Sequence, residues 1–255
     1  MSCSRKERPA PPGERLNRFL ARAGVASRRR SDLLIQSGRV AVNGATVTAL
    51  GMVIAPDADC VAVDGKPVGL REDFVYVLLN KPPGVIVSLG DPHHPRTVCD
   101  LLKGVERRVF PVGRLDLDTS GALLLTDDGD LTFRLCHPRY GVNKTYLAWV
   151  DGVPDAQDLR ALAAGIDLDG RRTAPARVRV ERQEAGATLL RLTLHEGRKR
   201  QVKRMCREVG HRVRALERAD FGGITTAGLR QGEWRYLTPE EVDRLKRSVE
   251  LGKPQ

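Results

Sequence analysis

The sequence predicts an α+β protein that consists of a small N-terminal module and a larger C-terminal domain. Apolar residues recur at helical spacing near the N-terminus, whereas β-branched and aromatic runs bounded by glycine and proline follow residue 73. A polar, irregular segment, residues 65–73, separates the two and predicts a linker. A chain of 255 residues also exceeds the usual size of one domain. Strands and helices in this arrangement are typical of the α+β class.

Composition indicates the kind of partner. The chain carries 43 Lys and Arg against 32 Asp and Glu, a formal charge of +11, which favours a polyanion. The five cysteines are scattered without a Cys-x-x-Cys pair, which argues against a zinc or redox centre and for a reducing compartment. The sequence contains neither an apolar run long enough for a membrane span nor an apolar secretory core. We therefore expect a cytoplasmic protein without a membrane partner.

The N-terminal module is predicted over residues 15–64, after a Pro-rich basic tail at residues 1–14. Apolar residues from Leu16 to Ala23 have the period of a one-faced helix that ends at Gly24. Ser27 is a suitable cap for a second helix, in which Leu33 and Leu34 are expected to face inward. A strand, an Asn-Gly turn and a second strand follow over residues 40–47.

Arginines cluster on these two helices and just after them. The set is Arg18, Arg22, Arg28, Arg29, Arg30 and Arg39. A solvated basic face and a nucleic-acid-binding face are equally compatible with such a cluster. The segment Arg-Leu-Asn-Arg-Phe-Leu-Ala-Arg-Ala-Gly-Val-Ala-Ser-Arg-Arg together with Gly-Arg-Val-Ala-Val-Asn-Gly resembles the S4 domain, a small RNA-binding module. That resemblance implies that these arginines bind structured RNA.

The larger domain is predicted over residues 74–247, with a tail at 248–255. Its first strand is expected at Phe74 to Leu79, before a Lys-Pro-Pro-Gly turn. Further strands are expected at residues 85–88, 121–126, 144–150, 176–182 and 187–195. Helices are expected at residues 130–136 and 155–164.

The segment from Gly113 to Gly121, Gly-Arg-Leu-Asp-Leu-Asp-Thr-Ser-Gly, places Asp116 where a turn meets an apolar strand. Its spacing approximates a calcium-binding EF-hand loop, but the flanking residues do not favour helices. Asp116 could also pair with Arg114 or cap a turn. A third possibility is that Asp116 is a catalytic nucleophile.

A second segment, residues 196–206, favours the catalytic interpretation. As a helix that ends at Gly210, it presents an apolar face and a cationic face, the latter with Arg200, Lys203, Arg204 and Arg207. The apolar face would pack, and the cationic face would meet an anionic partner.

Three ordered motifs resemble those of RsuA/RluB-type pseudouridine synthases, and the similarity runs from about residue 15 to residue 245. They are Gly-Arg-Leu-Asp at 113–116, Lys-Thr-Tyr at 144–146, and Glu-Gly-Arg at 196–198 with Gln-Val-Lys-Arg-Met at 201–205. The resemblance implies a mixed α/β catalytic domain with a predominantly antiparallel sheet. It also implies conversion of uridine to pseudouridine in ribosomal RNA, without a cofactor.

The same resemblance implies roles for individual residues. Asp116 is the nucleophile or base, Lys203 pairs with it, and Tyr146 stacks on the uracil, although a tyrosine in the strand core is an alternative. A lysine at position 203 departs from the commoner arginine and loses two-pronged hydrogen bonding. Arg114 contacts phosphate or occupies the vacated base position, and we also assign Arg198 and Arg200 to substrate binding.

Several alternatives remain open from the sequence. His93, His94 and Cys99 are interpreted as loop residues, so no metal site is predicted. A non-catalytic RNA-binding or ribosome-assembly factor would be compatible with the same fold. Signals for the RNA target conflict: Arg200-Gln201 is similar to members acting on large-subunit RNA, whereas residues 127–129 and 222–225 are similar to members acting on small-subunit RNA. We favour the large subunit slightly, and we expect ribosomal RNA or an assembly intermediate as partner of a monomer.

Overall fold

The computed structural model of the protein describes residues 13–70, 73–89 and 96–250. The chain divides into two compact units between Phe74 and Val75. The predicted N-terminal tail, apart from its last two residues, lies outside the described residues, as do His93 and His94.

The N-terminal unit combines two helices with short strands. Its elements are β1 (Glu14–Arg15), α1 (Leu16–Arg22), α2 (Arg28–Gln36), β2 (Val40–Val42), β3 (Ala45–Val47), β4 (Val53–Ile54), β5 (Val61–Val63) and β6 (Lys66–Val68). Strand β1 pairs with β4, and the other strands form a sheet in the order β3-β2-β5-β6. The predicted Asn-Gly turn is confirmed, because both Asn43 and Gly44 have positive φ angles. Ser27 caps α2 by accepting a hydrogen bond from the backbone of Arg30.

Three predictions for this unit are wrong in detail. Lys66–Val68, assigned to the linker, is an edge strand that pairs with β5. Glu14, assigned to the tail, is buried and accepts a hydrogen bond from Arg22. Leu33 is exposed, because Ile35 lies on the buried face and residues two apart on a helix differ by about 200°.

The larger unit is a mixed sheet with helices on its faces. Its first elements are β7 (Tyr76–Lys81), β8 (Phe110–Pro111), β9 (Thr119–Thr126), α3 (Gly129–Cys136), β10 (Lys144–Asp151) and α4 (Ala156–Ala164). They are followed by β11 (Arg177–Glu184), β12 (Ala187–Leu194), α5 (Gln201–Glu208), β13 (Val213–Phe221), β14 (Ile224–Thr225), β15 (Trp234–Tyr236) and α6 (Pro239–Ser248). Short 3₁₀ helices occur at Val98–Leu101 and Pro138–Tyr140.

The sheet order determines which residues can meet. Its strands run β11-β12-β10-β13-β9-β7-β15, with β14 paired to β13 and β8 to β9. Most neighbours among the described strands are antiparallel, as the resemblance implied, but β13 and β9 are parallel. Strand β13 therefore lies between the strand that follows the Asp116 loop and the strand that carries Tyr146.

Close packing of β9 and β13 requires glycine at position 121. Gly121 has φ +101°, and a Cβ there would overlap backbone atoms of Arg218. Leu123 and Leu125 of β9 are buried on one face of the sheet, and Ala122 and Leu124 on the other. The strand that anchors the site is therefore fixed on both faces.

Other expectations for the larger unit need correction. The strand expected at residues 85–88 is not formed: Ile86 makes only an isolated β-bridge with Thr97. Val85 and Val87 are nevertheless buried. Helix α6, which the sequence analysis did not assign, reaches Ser248, and the buried Val249 follows it, so the predicted C-terminal tail begins too early. None of the helices in the described ranges is long and apolar enough to cross a membrane.

Candidate active site

Asp116 lies in the loop between β8 and β9. The loop begins at Gly113, which has φ +72°, and its end is fixed by a 3.1 Å hydrogen bond from the Thr119 backbone N–H to the Asp116 carbonyl. The Gly84 backbone N–H donates to the Leu117 carbonyl at 2.8 Å. The Asp116 side chain is 32% exposed, so its carboxylate is partly shielded but accessible.

Lys81 supports this loop through hydrogen bonds to loop carbonyls, a role that the sequence analysis missed. Its side chain is fully buried at the end of β7 and donates to the carbonyls of Thr119 at 2.8 Å, Pro82 at 2.9 Å and Leu117 at 3.3 Å. Burial lowers the pKa of Lys81 to about 8, although the carboxylates of Asp118 and Asp116 oppose that shift. A lysine two positions after the apolar residues of a buried strand was the available signal.

Helix α5 places Lys203 beside the same loop. Its Nζ lies 3.8 Å from Oδ2 of Asp116 and is in closer contact with Oδ1 of Asp118. The hydrogen bond from Lys203 lowers the pKa of Asp118, whose side chain is 72% exposed. One ammonium group therefore serves two carboxylates in this structure.

Tyr146, on strand β10, lines the same cleft as Asp116. The strand places it opposite Leu192 on one side and Arg218 on the other. Its partly buried ring contacts two of the hydrophobic clusters of this unit. The surrounding packing restrains the ring while one part of it lines the site.

Asp116 and Tyr146 line an open cleft whose empty space, including the part open to solvent, is about 440 Å³. Its lining includes Asp116, Tyr146 and the three predicted substrate-binding residues Arg114, Arg198 and Arg200. Leu194 and Leu216 supply apolar wall. The cleft is therefore apolar on one side and cationic at its rim, which suits a flat polar ring attached to an anionic backbone.

The segment 196–201 forms one wall of the cleft. Buried Gln201 links it by donating to Glu196 at 2.7 Å and accepting from the Arg198 backbone at 2.9 Å. The Arg198 guanidinium donates to the carbonyls of Arg171 and Arg172 at 2.7 and 2.6 Å, so it also anchors a neighbouring segment. Arg200 has φ +51°, a strained conformation that exposes its side chain at the start of α5.

The calcium interpretation of the Asp116 loop is wrong, because the loop is flanked by strands β8 and β9, whereas an EF-hand has a helix on each side. Within the described ranges, no group of three or more His, Cys, Asp or Glu side chains is placed to hold a metal ion.

The six arginines of the N-terminal unit differ in environment. Arg28, Arg29 and Arg30 are exposed at the start of α2. Arg18 and Arg22 form ion pairs with Glu14 at 3.1 and 2.7 Å. Arg39 forms a two-pronged ion pair with Asp64. The three consecutive arginines are therefore exposed and, unlike Arg18, Arg22 and Arg39, are not held in these ion pairs.

The fold and the cleft together define an RNA-modifying enzyme with an accessory RNA-binding module. A family model described as RNA pseudouridylate synthase matches residues 75–208, and one described as S4 domain matches residues 14–60. The chain belongs to the RNA pseudouridine synthase family, and within it to the RsuA/RluB group that the three motifs resembled.

Comparisons with individual proteins agree. Ribosomal large subunit pseudouridine synthase B of Bacillus subtilis is 44% identical over 242 residues, which cover 94% of this chain and 98% of the relative. The dual-specificity RNA pseudouridine synthase RluF of Escherichia coli is 35% identical over 238 residues, covering 92% and 79%. A crystal structure of a pseudouridylate synthase superposes with a TM-score of 0.64 at 32% identity, covering 91% of this chain and 99% of that one.

Proposed function

We propose that this enzyme converts one specific uridine of large-subunit ribosomal RNA to pseudouridine, with Asp116 as the nucleophile or base. The observation that carries the proposal is that Asp116 and Tyr146 line one cleft, from a loop and a strand, while Lys203 of α5 lies 3.8 Å from the Asp116 carboxylate. A protein that only bound RNA would have no use for a carboxylate within a cationic cleft, because the carboxylate repels phosphate.

The reaction sets requirements that these residues meet. The bond between C1′ and N1 breaks, the uracil turns within the site, and C5 joins C1′; C5 then loses its proton, and N1 gains one. The Asp116 carboxylate would attack the sugar or take a proton from it, and the ammonium group of Lys203 lies 3.8 Å from its Oδ2. The residues present supply this chemistry without a cofactor.

Access to the uridine requires that the nucleotide leave its stack. Tyr146 offers an aromatic face to receive the uracil, and the exposed Arg114 stands beside Asp116 to contact phosphate or fill the vacated place. Arg198 and Arg200 add positive charge at the rim. The S4 domain would hold structured RNA through Arg28, Arg29 and Arg30, with a smaller contribution from the paired Arg18, Arg22 and Arg39.

The large-subunit preference rests on the Arg200-Gln201 signal and on the name of the Bacillus subtilis relative. To test it, the protein is incubated with unmodified large-subunit and small-subunit ribosomal RNA, each also as an assembly intermediate, and pseudouridine is mapped at nucleotide resolution. We expect one new site in large-subunit RNA. New pseudouridine only in small-subunit RNA would reverse the preference, and none in any substrate would refute the proposal.

The role of Asp116 is tested with a matched pair of variants in the same loop. Asp116→Asn should bind RNA as the wild type does and lose turnover. Asp118→Asn removes a carboxylate two residues away that contacts the same lysine, and should retain activity within about tenfold, as expected of an exposed ion pair. Appreciable turnover by Asp116→Asn would exclude it as the nucleophile.

A further inference from the structure

A small aromatic and basic surface lies at the C-terminal end of α3 and has no role in the mechanism above. We define the α3 platform as Phe133, His137, Arg139 and Tyr140. Phe133 is 59% exposed, and its ring centroid lies 5.3 Å from that of His137. His137 in turn lies 6.2 Å from Tyr140 at an interplanar angle of 78°. Three rings therefore follow one another in a chain where aromatic residues make up only 4%.

The platform is held rigidly. Tyr140 packs against a buried cluster, and the Arg139 guanidinium lies 5.0 Å from the centre of its ring. The His137 Nδ1 accepts a hydrogen bond from the Arg139 backbone at 3.2 Å, which fixes the turn after the helix. The exposed rings of Phe133 and His137 are thus presented on a fixed base.

Charge around the platform favours an anionic partner. Arg139 and His137 are exposed in the platform, and Arg134 follows Phe133 directly, whereas Asp130, one helical turn before Phe133, is the acidic residue of α3. Phe133 is the large exposed hydrophobic residue of α3, so the apolar area is far smaller than the roughly 1,000 Å² of a stable protein interface. An exposed aromatic ring bordered by cations is instead typical of surfaces on which unpaired bases stack.

The platform is also connected to the active-site loop. Cys136, at the end of α3, lies beside Gly113, the residue before Arg114: a Cβ on Gly113 would be 3.8 Å from Sγ of Cys136. Phe133 is three positions from Cys136, and Gly113 is three positions from Asp116, which puts Phe133 within roughly 20 Å of the Asp116 carboxylate. Helix α3 packs on the sheet face opposite the cleft, so an RNA would have to extend around the Gly113 end of the loop to contact both.

We propose that the α3 platform is a second RNA-binding site of the catalytic domain, where an unpaired base near the target uridine stacks on Phe133 while Arg139 contacts the adjoining phosphate. The inference rests on the proposed RNA substrate. Its test measures binding directly, so absence of turnover would count against the proposed function without deciding this one.

The test places a fluorescent ring at the platform. In the full-length Phe133→Trp variant, a short oligoadenylate and unmodified large-subunit ribosomal RNA should each quench fluorescence beyond the change seen in the wild type. Val153→Trp, at a position that is 56% exposed in the same unit, is the matched control and should show no added quenching. Equal quenching in both variants would overturn the proposal.

Affinity and kinetics give a second measurement. Phe133→Ala and Phe133→Leu should weaken RNA binding by roughly 5- to 100-fold and raise KM with kcat unchanged, whereas Phe133→Tyr should bind within about twofold of the wild type. Arg139→Gln should reduce the slope of log affinity against log salt by about 0.7. Wild-type RNA affinity in Phe133→Ala would refute the proposal. It would also be refuted if the protein proved to be a dimer and Phe133→Ala broke the dimer while RNA binding stayed unchanged, because the platform would then be a protein interface.

Discussion

Replacement of Lys81 by methionine tests how the Asp116 loop is supported. Methionine has a similar length and no hydrogen-bond donor, so the variant removes the contacts to the carbonyls of Thr119, Pro82 and Leu117 without opening a large cavity. The Leu117 carbonyl keeps its bond from Gly84. The carbonyls of buried Thr119 and partly buried Pro82 are left without this partner, at about 1–3 kcal/mol each.

A second contribution has the opposite sign. Burial lowers the pKa of Lys81 from 10.5 to about 8, so the unfolded chain binds this proton more tightly than the folded one. That difference costs the wild type about 3 kcal/mol of stability at pH 7, a cost that methionine does not carry. At neutral pH the two contributions largely cancel, and the net change in the free energy of unfolding should be small.

The pH dependence separates the two contributions. Stability rises with pH wherever the unfolded state binds more protons, which for Lys81 is the interval between its folded pKa of about 8 and its unfolded value of 10.5. The unfolding free energy of the wild type, relative to Lys81→Met, should therefore increase by about 2 kcal/mol from pH 7 to pH 9.5.

Urea unfolding followed by tryptophan fluorescence measures this difference. Both tryptophans, Trp149 and Trp234, belong to the larger unit, so the signal reports on that unit alone. At pH 7, turnover by Lys81→Met should fall by about 10²-fold, since a displacement of about 1 Å at a catalytic group has that effect. A constant stability difference across this pH range, or undiminished turnover, would refute the argument.

Three further outcomes are expected. Gly121→Ala should destabilise the larger unit by more than about 2 kcal/mol, because its Cβ would overlap the paired strand, whereas Gly129→Ala, with open space around it, should be neutral or stabilising by urea unfolding. In single-turnover assays, the rate of Lys203→Arg should stay within about tenfold of the wild-type rate, whereas the rate of Lys203→Met should fall by about 10²-fold, because only arginine keeps the charge beside Asp116. Equal rates for the two variants would exclude the ion pair from catalysis. Burial lowers the pKa of His211, but hydrogen bonds to the Asp151 carbonyl and the Asp158 carboxylate raise this pKa above its usual value overall. The free energy of unfolding of the wild type, relative to His211→Asn, should therefore be greatest at pH 5.5 and decrease as the pH rises towards 8.

Local patterns predicted the elements whose formation depends on nearby residues. The Asn-Gly hairpin, the Ser27 cap and the helix that contains Lys203 follow from turn chemistry and periodicity, and each is present. The two extra strand residues of β9, Thr119 and Ser120, could not be predicted, because they join the sheet through β13, almost a hundred residues later. Residues 85–88 have a strand-like composition, but within the described ranges their β-pairing is the single bridge between Ile86 and Thr97.

The site also combines features that depend on nearby residues with features that depend on residues far along the chain. The motifs predicted Asp116, Tyr146 and Lys203 as one site; in the structure Asp116 and Tyr146 line the cleft and Lys203 lies 3.8 Å from Asp116, while their catalytic roles stay a prediction. The sharing of Lys203 between Asp116 and Asp118 depends on the approach of α5 to the loop, a long-range contact that spacing does not encode. The buried position of Lys81 also depends on loop residues far along the chain, whereas its own neighbours, Pro82 and Pro83, suggested only a turn.

The position of β13 has a consequence for the order in which the protein can become active. In the sheet, β9 and β10 do not touch; β13 lies between them and pairs with both. The strand that follows the Asp116 loop and the strand with Tyr146 therefore remain two separate fragments on the ribosome until residue 221 has emerged. A nascent chain that ends after α5 holds every proposed catalytic residue, yet it has no cleft. Activity should thus appear only late in synthesis, when β13 inserts between β9 and β10 and joins the two parts of the sheet.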